Sequence, residues 1–219
     1  ASAVGIADGY ARKSGHLGVV QLHSGVGLGN GVGMLYQALR GHTPMLILVG
    51  DAGLQYDNLQ AQMAVDLVAM AAPVTKWATR VTHPDSVLRT VRRAIKTAFA
   101  HPRGPVLVNL PADVMDATNR EVVVPSVVPD QNSMPDADVI HYASALLKHS
   151  CSPAIIAGDG VSAASAQVEL SEIANVLGAP VWGCNWSTPN LPASDSHFRG
   201  DLGHMFGSTS QKLLEGIDT

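Results

Sequence analysis

A histidine, a serine and four glycines at alternate positions form the stretch of this sequence best suited to chemistry. The stretch, HSGVGLGNG at residues 23–31, begins directly after an apolar run at residues 18–22. An imidazole gains and loses a proton near neutral pH, and a hydroxyl donates or accepts a hydrogen bond. Glycine has no Cβ, so its backbone can turn sharply and come close to a ligand. His23 and Ser24 are therefore candidates for proton transfer beside a bound small molecule.

The glycine spacing differs from that of two common nucleotide-binding motifs. Asn30 and Val32 occupy the places where the third glycine of G-x-G-x-x-G would fall, and no Gly-Lys-Ser/Thr follows to make a P-loop. The residues alone leave two interpretations open, a tightly packed strand-to-helix turn or a ligand-binding loop. The position after a strand favours the ligand-binding interpretation, since open parallel sheets bind ligands at the carboxyl ends of their strands.

The surrounding sequence alternates between strand-like and helix-like patterns. Strands are predicted at residues 19–22 and 45–49, and helices at residues 30–40 and 58–70. This alternation is typical of a parallel sheet whose strands are joined by crossover helices. We therefore predict an α/β fold in which the histidine lies at the carboxyl edge of the sheet.

A further helix and strand complete the first half of the chain. Apolar residues recur at helical spacing over residues 87–99, and a buried strand is predicted at residues 104–111. Four basic residues between the apolar positions of the helix are interpreted as a solvated face rather than an anion site: Arg89, Arg92, Arg93 and Lys96.

A change in composition predicts two domains joined by a linker. Periodicity disappears over residues 116–137, where three prolines stand among valines and polar residues. A second α/β series follows at residues 138–219. We therefore predict parallel sheets with crossover helices that belong to parts of two doubly wound domains.

Composition narrows the classes of partner. The chain has 219 residues, is 46% apolar and has a net charge of −4 with both signs interspersed, so neither nucleic acid nor an anionic membrane is an expected partner. No apolar run approaches the roughly 20 residues of a membrane-spanning helix. Cys151 and Cys184 lack C-x-x-C partners, which argues against a zinc site and a disulfide framework. A reducing cytoplasm is the expected location.

Five short motifs, in their order along the chain, resemble the thiamine-diphosphate-dependent decarboxylase and acetolactate synthase superfamily. They are ADGYAR at residues 7–12, LHSGVGLGN at residues 22–30, HTP at residues 42–44, Lys76-Trp77, and GPV at residues 104–106. The Leu-His-Ser form of the second motif is most similar to the benzoylformate decarboxylase branch. The resemblance continues through the linker and covers nearly all of the chain.

The resemblance implies a domain assignment. Members of the superfamily have three α/β domains, so residues 1–115 would be the rear part of the pyrimidine-binding domain, 116–137 a linker, and 138–219 the front part of the central domain. The catalytic glutamate is expected just before Ala1, and the domain that binds diphosphate and Mg²⁺ is expected beyond the chain. The resemblance thus implies an internal fragment that holds no metal ligand and is inactive by itself.

The resemblance also implies roles for the residues of the glycine stretch. His23 and Ser24 would be catalytic, with the histidine moving protons as a 2-keto acid loses CO2 and leaves as an aldehyde. The cofactors would be thiamine diphosphate and Mg²⁺, in a homodimer or homotetramer. Four residues would line the thiamine diphosphate: Gly25, Val26, Gly27 and Asn30.

The turn Gly158-Asp159-Gly160 imitates the diphosphate motif of the superfamily. That motif needs a pair of asparagines downstream, whereas Asn185 has Cys184 and Trp186 as neighbours. The turn also fits G-x-G-x-x-A, but no acidic residue ends the strand at residues 180–182 to bind a ribose. We interpret it as a structural strand-to-helix turn and expect no flavin.

Two residues depart from the benzoylformate decarboxylase pattern. Gln62 and Met63 stand where an apolar pair would help to shape an aromatic substrate pocket, although both could simply be helix residues. Two alternatives to the decarboxylase stay open. One is an acetolactate-synthase-like carboligase, against which His23 argues, and the other is a non-catalytic α/β binding module.

Overall fold

The computed structural model describes residues 1–128, 133–184, 187–204 and 207–219. It divides the chain into two compact units, Ala1–Gln131 and Asn132–Thr219. Each unit contains a parallel sheet joined by helices, so the predicted α/β fold class is confirmed. Part of the predicted linker, residues 129–132, lies outside the described residues, as does Asn185.

The first unit is built on a four-stranded parallel sheet in the order β1-β2-β4-β3. Its strands are β1 (Gly18–His23), β2 (Met45–Asp51), β3 (Trp77–Arg80) and β4 (Pro105–Pro111). Its α-helices are α1 (Ser2–Ser14), α2 (Ser24–Arg40), α3 (Leu67–Ala71), α4 (Val87–Phe99) and α5 (Ala112–Asp116). Three 3₁₀ turns lie at Leu54–Leu59, Ala72–Val74 and Pro84–Ser86.

Two layers of helix bury the central strands β2 and β4 on both faces. Side chains alternate across a strand, so Ile47 packs into the cluster under α1, α2 and α3, while its neighbour Leu46 packs into the cluster under α4. This is why both strands read as nearly continuous apolar runs rather than as alternating ones.

Helix α2 begins at Ser24, whereas the sequence predicted its start near Asn30. The glycines therefore lie in the first two turns of a helix and not in an open loop. Their missing side chains let α2 approach its neighbours closely: a Cβ on Gly25 would lie 3.0 Å from Val65 Cγ1, and one on Gly31 would lie 3.3 Å from Val4 Cγ2. Close packing thus offsets the low helix propensity of glycine.

The helix predicted at residues 58–70 is mostly absent. The chain forms the 3₁₀ turn Leu54–Leu59, takes a left-handed conformation at Gln60 (φ 51°), and enters helix only at Leu67. Asp66 fixes that start, because its Oδ1 accepts a hydrogen bond from Ala69 N at 2.8 Å. Gln62 and Met63 consequently lie outside any helix, which removes the interpretation of them as helix residues.

The second unit has a three-stranded parallel sheet in the order β5-β6-β7. Its strands are β5 (Ile155–Ala157), β6 (Val181–Gly183) and β7 (Phe198–Asp201). Its helices are α6 (Ala137–His149), α7 (Asp159–Ala163), α8 (Gln167–Leu177) and α9 (Ser208–Leu213). Helices α7 and α8 are separated at Ser165, whose φ of 55° no right-handed α-helix accommodates. Within the described part of the chain, no helix is long and apolar enough to cross a membrane.

Candidate functional site

Strand β1 ends at His23, and helix α2 begins at the next residue, Ser24. His23 ends the strand with extended backbone (φ −130°, ψ 123°) and is exposed, whereas Ser24 has φ 51° and is buried. A non-glycine residue with positive φ is strained, and such residues concentrate at functional sites. The turn therefore presents the imidazole at the carboxyl edge of the sheet, where the sequence predicted it.

Gly50 provides the space beside this imidazole. It is the register partner of His23 across β1 and β2, and a Cβ on Gly50 would lie 3.1 Å from His23 Nδ1. That separation is tighter than an ordinary van der Waals contact, so a side chain at Gly50 would require the ring to shift by a few tenths of an ångström. The sequence offered no sign of this contact, because the two residues are joined only by strand pairing.

The four residues predicted to line a cofactor divide into two pairs. Gly25 and Gly27 are half-buried against protein, since their missing Cβ atoms would meet Val65 and Leu22. Val26 and Asn30 are exposed, and Val26 keeps 76% of its surface accessible. Residues four apart share one face of a helix, so this second pair forms an open face on the first turns of α2.

A polar cluster that the sequence analysis missed lies at the carboxyl ends of β2, β3 and β4. Asp51 and Asn109 are almost fully buried, and Asn109 Nδ2 donates to Asp51 Oδ2 at 3.1 Å. Arg80 pairs with the same Asp51 oxygen at 3.0 Å. Its guanidinium also forms a two-pronged contact with Asp57, at 2.6 and 2.8 Å. The sequence signal for this cluster was an aspartate and an asparagine inside otherwise apolar strands, since such residues are seldom buried.

Hydrogen bonding and charge reinforce this cluster. The Arg80 guanidinium lowers the pKa of the Asp57 carboxyl, mainly through the hydrogen bonds it donates. The same bonds raise the pKa of Arg80. Residues that pair across two strands lie on the same face of the sheet, whereas successive residues of one strand lie on opposite faces. His23, which pairs with Gly50, therefore lies on one face, and Asp51, which follows Gly50, lies on the other. The structure therefore does not bring the histidine and the buried aspartate together.

Other motif residues meet at the amino ends of the strands, where they stabilise the fold. Asp8 of the first motif accepts a hydrogen bond from Thr43 Oγ1 of the third motif at 2.7 Å. Lys76 Nζ donates to the carbonyls of Thr97 and Ala100 at the end of α4, at 2.6 and 2.5 Å, and its burial lowers its pKa. A lysine in that position satisfies carbonyls that the helix leaves without partners.

The second sheet has a cavity of about 240 Å³ along the carboxyl ends of its strands, with a mainly apolar lining to which Ser187, Thr188, Asn190 and Asp201 contribute polar groups. The turn Gly158-Asp159-Gly160 adjoins it and is bonded to the facing loop. Asp159 Oδ1 accepts from Thr188 N at 2.8 Å, and Asn190 Nδ2 donates to Gly158 O at 3.0 Å. These hydrogen bonds give the turn a structural role, which is to hold the loop that contains Thr188 and Asn190. Across the described residues, no three His, Cys, Asp or Glu side chains come close enough to hold a metal ion.

Comparison with known proteins places this geometry in a family. Residues 1–70 match the model of the thiamine pyrophosphate enzyme N-terminal TPP binding domain. The chain is 31% identical over 220 residues to the benzoylformate decarboxylase of Pseudomonas aeruginosa, covering 98% of this chain and 41% of that protein. It is also 31% identical over 207 residues to the acetolactate synthase large subunit of Corynebacterium glutamicum, covering 93% of this chain and 33% of that protein.

A solved structure matches nearly the whole chain. It is the thiamine diphosphate-dependent 4-hydroxybenzoylformate decarboxylase of Rhodococcus jostii, with a TM-score of 0.87 and 28% identity over 98% of this chain and 41% of that one. The chain thus spans about two fifths of the length of these decarboxylases. The sequence motifs, the fold and the comparisons agree on one superfamily.

Proposed function

The chain belongs to the thiamine pyrophosphate (thiamine diphosphate) enzyme family, and on this basis we propose that it is part of a 2-keto acid decarboxylase of the benzoylformate decarboxylase kind. The reaction would cleave a C–C bond without oxidation and release CO2 and an aldehyde. The observation that carries the proposal is the exposed His23 at the carboxyl end of β1, on the turn with Ser24 that leads into α2. This is where an α/β sheet presents a group to a ligand.

The open face of α2 suits the pyrimidine half of thiamine diphosphate. A pyrimidine is a flat ring that carries hydrogen-bonding groups, and the exposed side chains of Val26 and Asn30 offer one apolar and one amide contact on successive turns. Gly25 and Gly27 would support that face from behind by letting α2 pack closely on Val65 and Leu22. When bound, the cofactor supplies the electron-accepting thiazolium that decarboxylation requires.

In this proposal His23 transfers protons to and from the reacting substrate. An imidazole is suited to the task because it can act as acid and as base near neutral pH. Ser24 contributes by holding the turn: its positive φ and its burial fix the direction in which the strand delivers the histidine. Gly50 keeps the space beside Nδ1 free.

The proposal assigns a domain role to each unit. Ala1–Gln131 would be the pyrimidine-binding unit and Asn132–Thr219 part of the central domain. The groups that hold diphosphate and Mg²⁺ would lie outside these 219 residues. We also propose a cytoplasmic homodimer or homotetramer, for which the support is apolar surface on α1: Ile6 and Tyr10, one turn apart, are 74% and 55% exposed.

The acetolactate-synthase-like carboligase is the competing proposal within the same family. Sequence identity does not separate the two, since the decarboxylase of P. aeruginosa and the synthase of C. glutamicum are both 31% identical to this chain. The products do separate them. Incubation of the holoenzyme with benzoylformate or pyruvate yields only CO2 and aldehyde in the first case, and a condensed hydroxy-keto acid in the second.

Substitution of His23 tests the proposed role. We expect His23→Ala to slow decarboxylation by the holoenzyme about 10²- to 10⁴-fold, the usual contribution of one acid–base group. Thiamine diphosphate affinity, measured by calorimetry with Mg²⁺, should change little because the histidine faces the reacting atoms. His16→Ala is the matched control, since His16 is an exposed histidine at the other end of β1. Unchanged turnover in His23→Ala would contradict the proposal.

A further inference from the structure

The segment between β2 and α3 is anchored at its start, where Ala52 is buried and Leu54 packs against the cluster under α4, and it is exposed beyond that point. No residue of the 3₁₀ turn Leu54–Leu59 is buried, and residues 55–60 are all exposed. Leu59 is 70% exposed, and Met63, further along, is 43% exposed. Apolar packing therefore contributes little to the position of residues 55–60, which leaves polar contacts to hold them.

One arginine ties the segment to the sheet. Arg80 Nη1 and Nη2 donate to the two carboxylate oxygens of Asp57 at 2.6 and 2.8 Å, and among the described residues these are the side-chain hydrogen bonds that link residues 54–60 to a strand. Such a two-pronged contact fixes direction as well as distance, because both groups are planar.

The arginine is itself held in place from the sheet side. It ends β3 opposite Asn109 of β4, and its NH2 group lies 3.0 Å from Oδ2 of the buried Asp51. Asp51 in turn accepts hydrogen bonds from Ala52 N and from Asn109 Nδ2, at 2.8 and 3.1 Å. The line of contacts runs from rigid strands through Arg80 to the exposed Asp57.

The far end of the segment touches the start of α2. Val65 Cγ1 lies 3.0 Å from the position of a Cβ on Gly25, which directly follows His23 and Ser24 in the chain. Gln62 and Met63 lie between the Arg80 contact and this second contact, outside any helix. They are the central residues of a turn that Ala64 N closes by donating to Ala61 O at 2.9 Å, so the two contacts position this turn as a unit.

We propose that the Arg80–Asp57 pair is a positioning device that sets where the turn at Gln62 and Met63 lies relative to the start of α2, and thereby helps to determine which 2-keto acids the enzyme accepts. The statement about substrates rests on the proposed decarboxylase function. The statement about position concerns this chain alone.

Hydrogen–deuterium exchange tests the positional part. We expect Asp57→Asn to speed exchange in peptides spanning residues 54–66 about two- to tenfold, which is the range of a single solvent-accessible ion pair. Asp57 is the better partner to change, because removing Arg80 would also leave the buried Asp51 without its charge partner. Asp57→Glu should restore part of the protection. The matched control is Arg89→Met, which breaks the exposed Arg89–Glu121 pair elsewhere in the same unit.

Substrate selectivity of the holoenzyme tests the functional part. We expect Asp57→Asn to change the ratio of kcat/KM for benzoylformate to that for pyruvate about two- to tenfold, mostly through KM, as expected when substrate binding is altered. Arg89→Met should leave the ratio unchanged.

The outcomes separate the two proposals. Unchanged exchange in Asp57→Asn would overturn the positional role. Faster exchange with an unchanged substrate ratio would overturn the link to specificity. If the unsubstituted holoenzyme releases CO2 from no 2-keto acid, the decarboxylase proposal fails together with the specificity role, and the exchange result still decides whether Arg80 fixes the segment.

Discussion

The two sheets of this protein are built from the same pattern and differ in how deeply they are buried. In the first unit β4 has seven residues, of which six are buried, and helices cover both faces. In the second unit β5 has three residues, of which only Ala157 is buried, and α6 buries none of its residues. The same alternation of strand and helix can therefore produce a deeply packed sheet or a shallow one.

The shallow unit fixes two of its loops by hydrogen bonds to carboxylates. Asp218 accepts from Ser150 Oγ, from Cys151 N at 2.7 Å and from Ser152 N at 3.1 Å. Asp195 accepts from His197 N at 2.9 Å. These hydrogen bonds lower the pKa of both carboxyl groups, led by the Ser150 bond at Asp218 and the His197 backbone bond at Asp195. We therefore expect acid to destabilise the second unit more than the first. We expect the loss of core volume to destabilise the first unit more than the second.

The largest expected effect comes from removing a core leucine. Leu107→Ala, in the middle of β4 with no exposed surface, should destabilise the first unit by about 2–5 kcal/mol, because the rigid sheet cannot close around the cavity. Leu170→Ala in α8 is the matched substitution in the second unit and should have the smaller effect. Urea unfolding followed by circular dichroism measures both free energies of unfolding. An equal or larger loss of stability in Leu170→Ala would contradict the difference between the two units.

The next largest effect is expected at acid pH, where the stability of the second unit should fall before that of the first. A carboxyl group whose pKa is lowered by folding stabilises the folded state above its ordinary pKa, near 3.8, and this contribution is lost as the pH falls through the folded value. Amide exchange at falling pH should therefore show the second unit opening first below about pH 4. Asp218→Asn should remove much of this dependence, with Asp116→Asn as a control at an exposed position. Simultaneous opening of both units would count against the comparison.

The first unit has a pH response of its own in a milder range. Burial, followed by the charges of Arg103, Lys76 and His42, lowers the pKa of His101. A histidine with a lowered pKa disfavours the folded state once it is protonated, so stability should decline as the pH falls below the ordinary value of 6.5. Thermal unfolding between pH 7.5 and pH 5.5 should show a slight fall in Tm that His101→Asn abolishes. An identical fall in the variant would exclude His101 as the cause.

The smallest stability effect is expected at the site itself. Gly50→Ala should change the free energy of unfolding by less than about 1 kcal/mol, because only the His23 ring must move to make room. The NMR signals of the His23 imidazole should nevertheless shift, and holoenzyme turnover should fall. Gly33→Ala is the control, since nothing lies within 4 Å of a Cβ placed on Gly33. An unmoved His23 signal would show that Gly50 does not determine the position of the ring.

Much of the fold and part of the site could be predicted from local patterns. Strand β1, its position before the glycine stretch and the place of His23 at its carboxyl end all depend on residues close together in the chain. The start of α2 was predicted too late, because glycines argue against helix until packing against Val65 and Val4 is known. The helix predicted at residues 58–70 failed for a similar reason, since a left-handed residue at Gln60 interrupts it.

The class of fold, the order of motifs that identifies the family, and the placement of His23 and Ser24 between strand and helix all follow from the order of residues along the chain. The cluster of Asp51, Asn109, Arg80 and Asp57 forms only when the chain has folded. Asp51 and Asn109 are 58 positions apart, and they meet because β2 and β4 pair in one register. Local periodicity carries no information about which distant strands pair, so the contacts of Arg80 with Asp51 and Asp57 appear only when the sheet has formed.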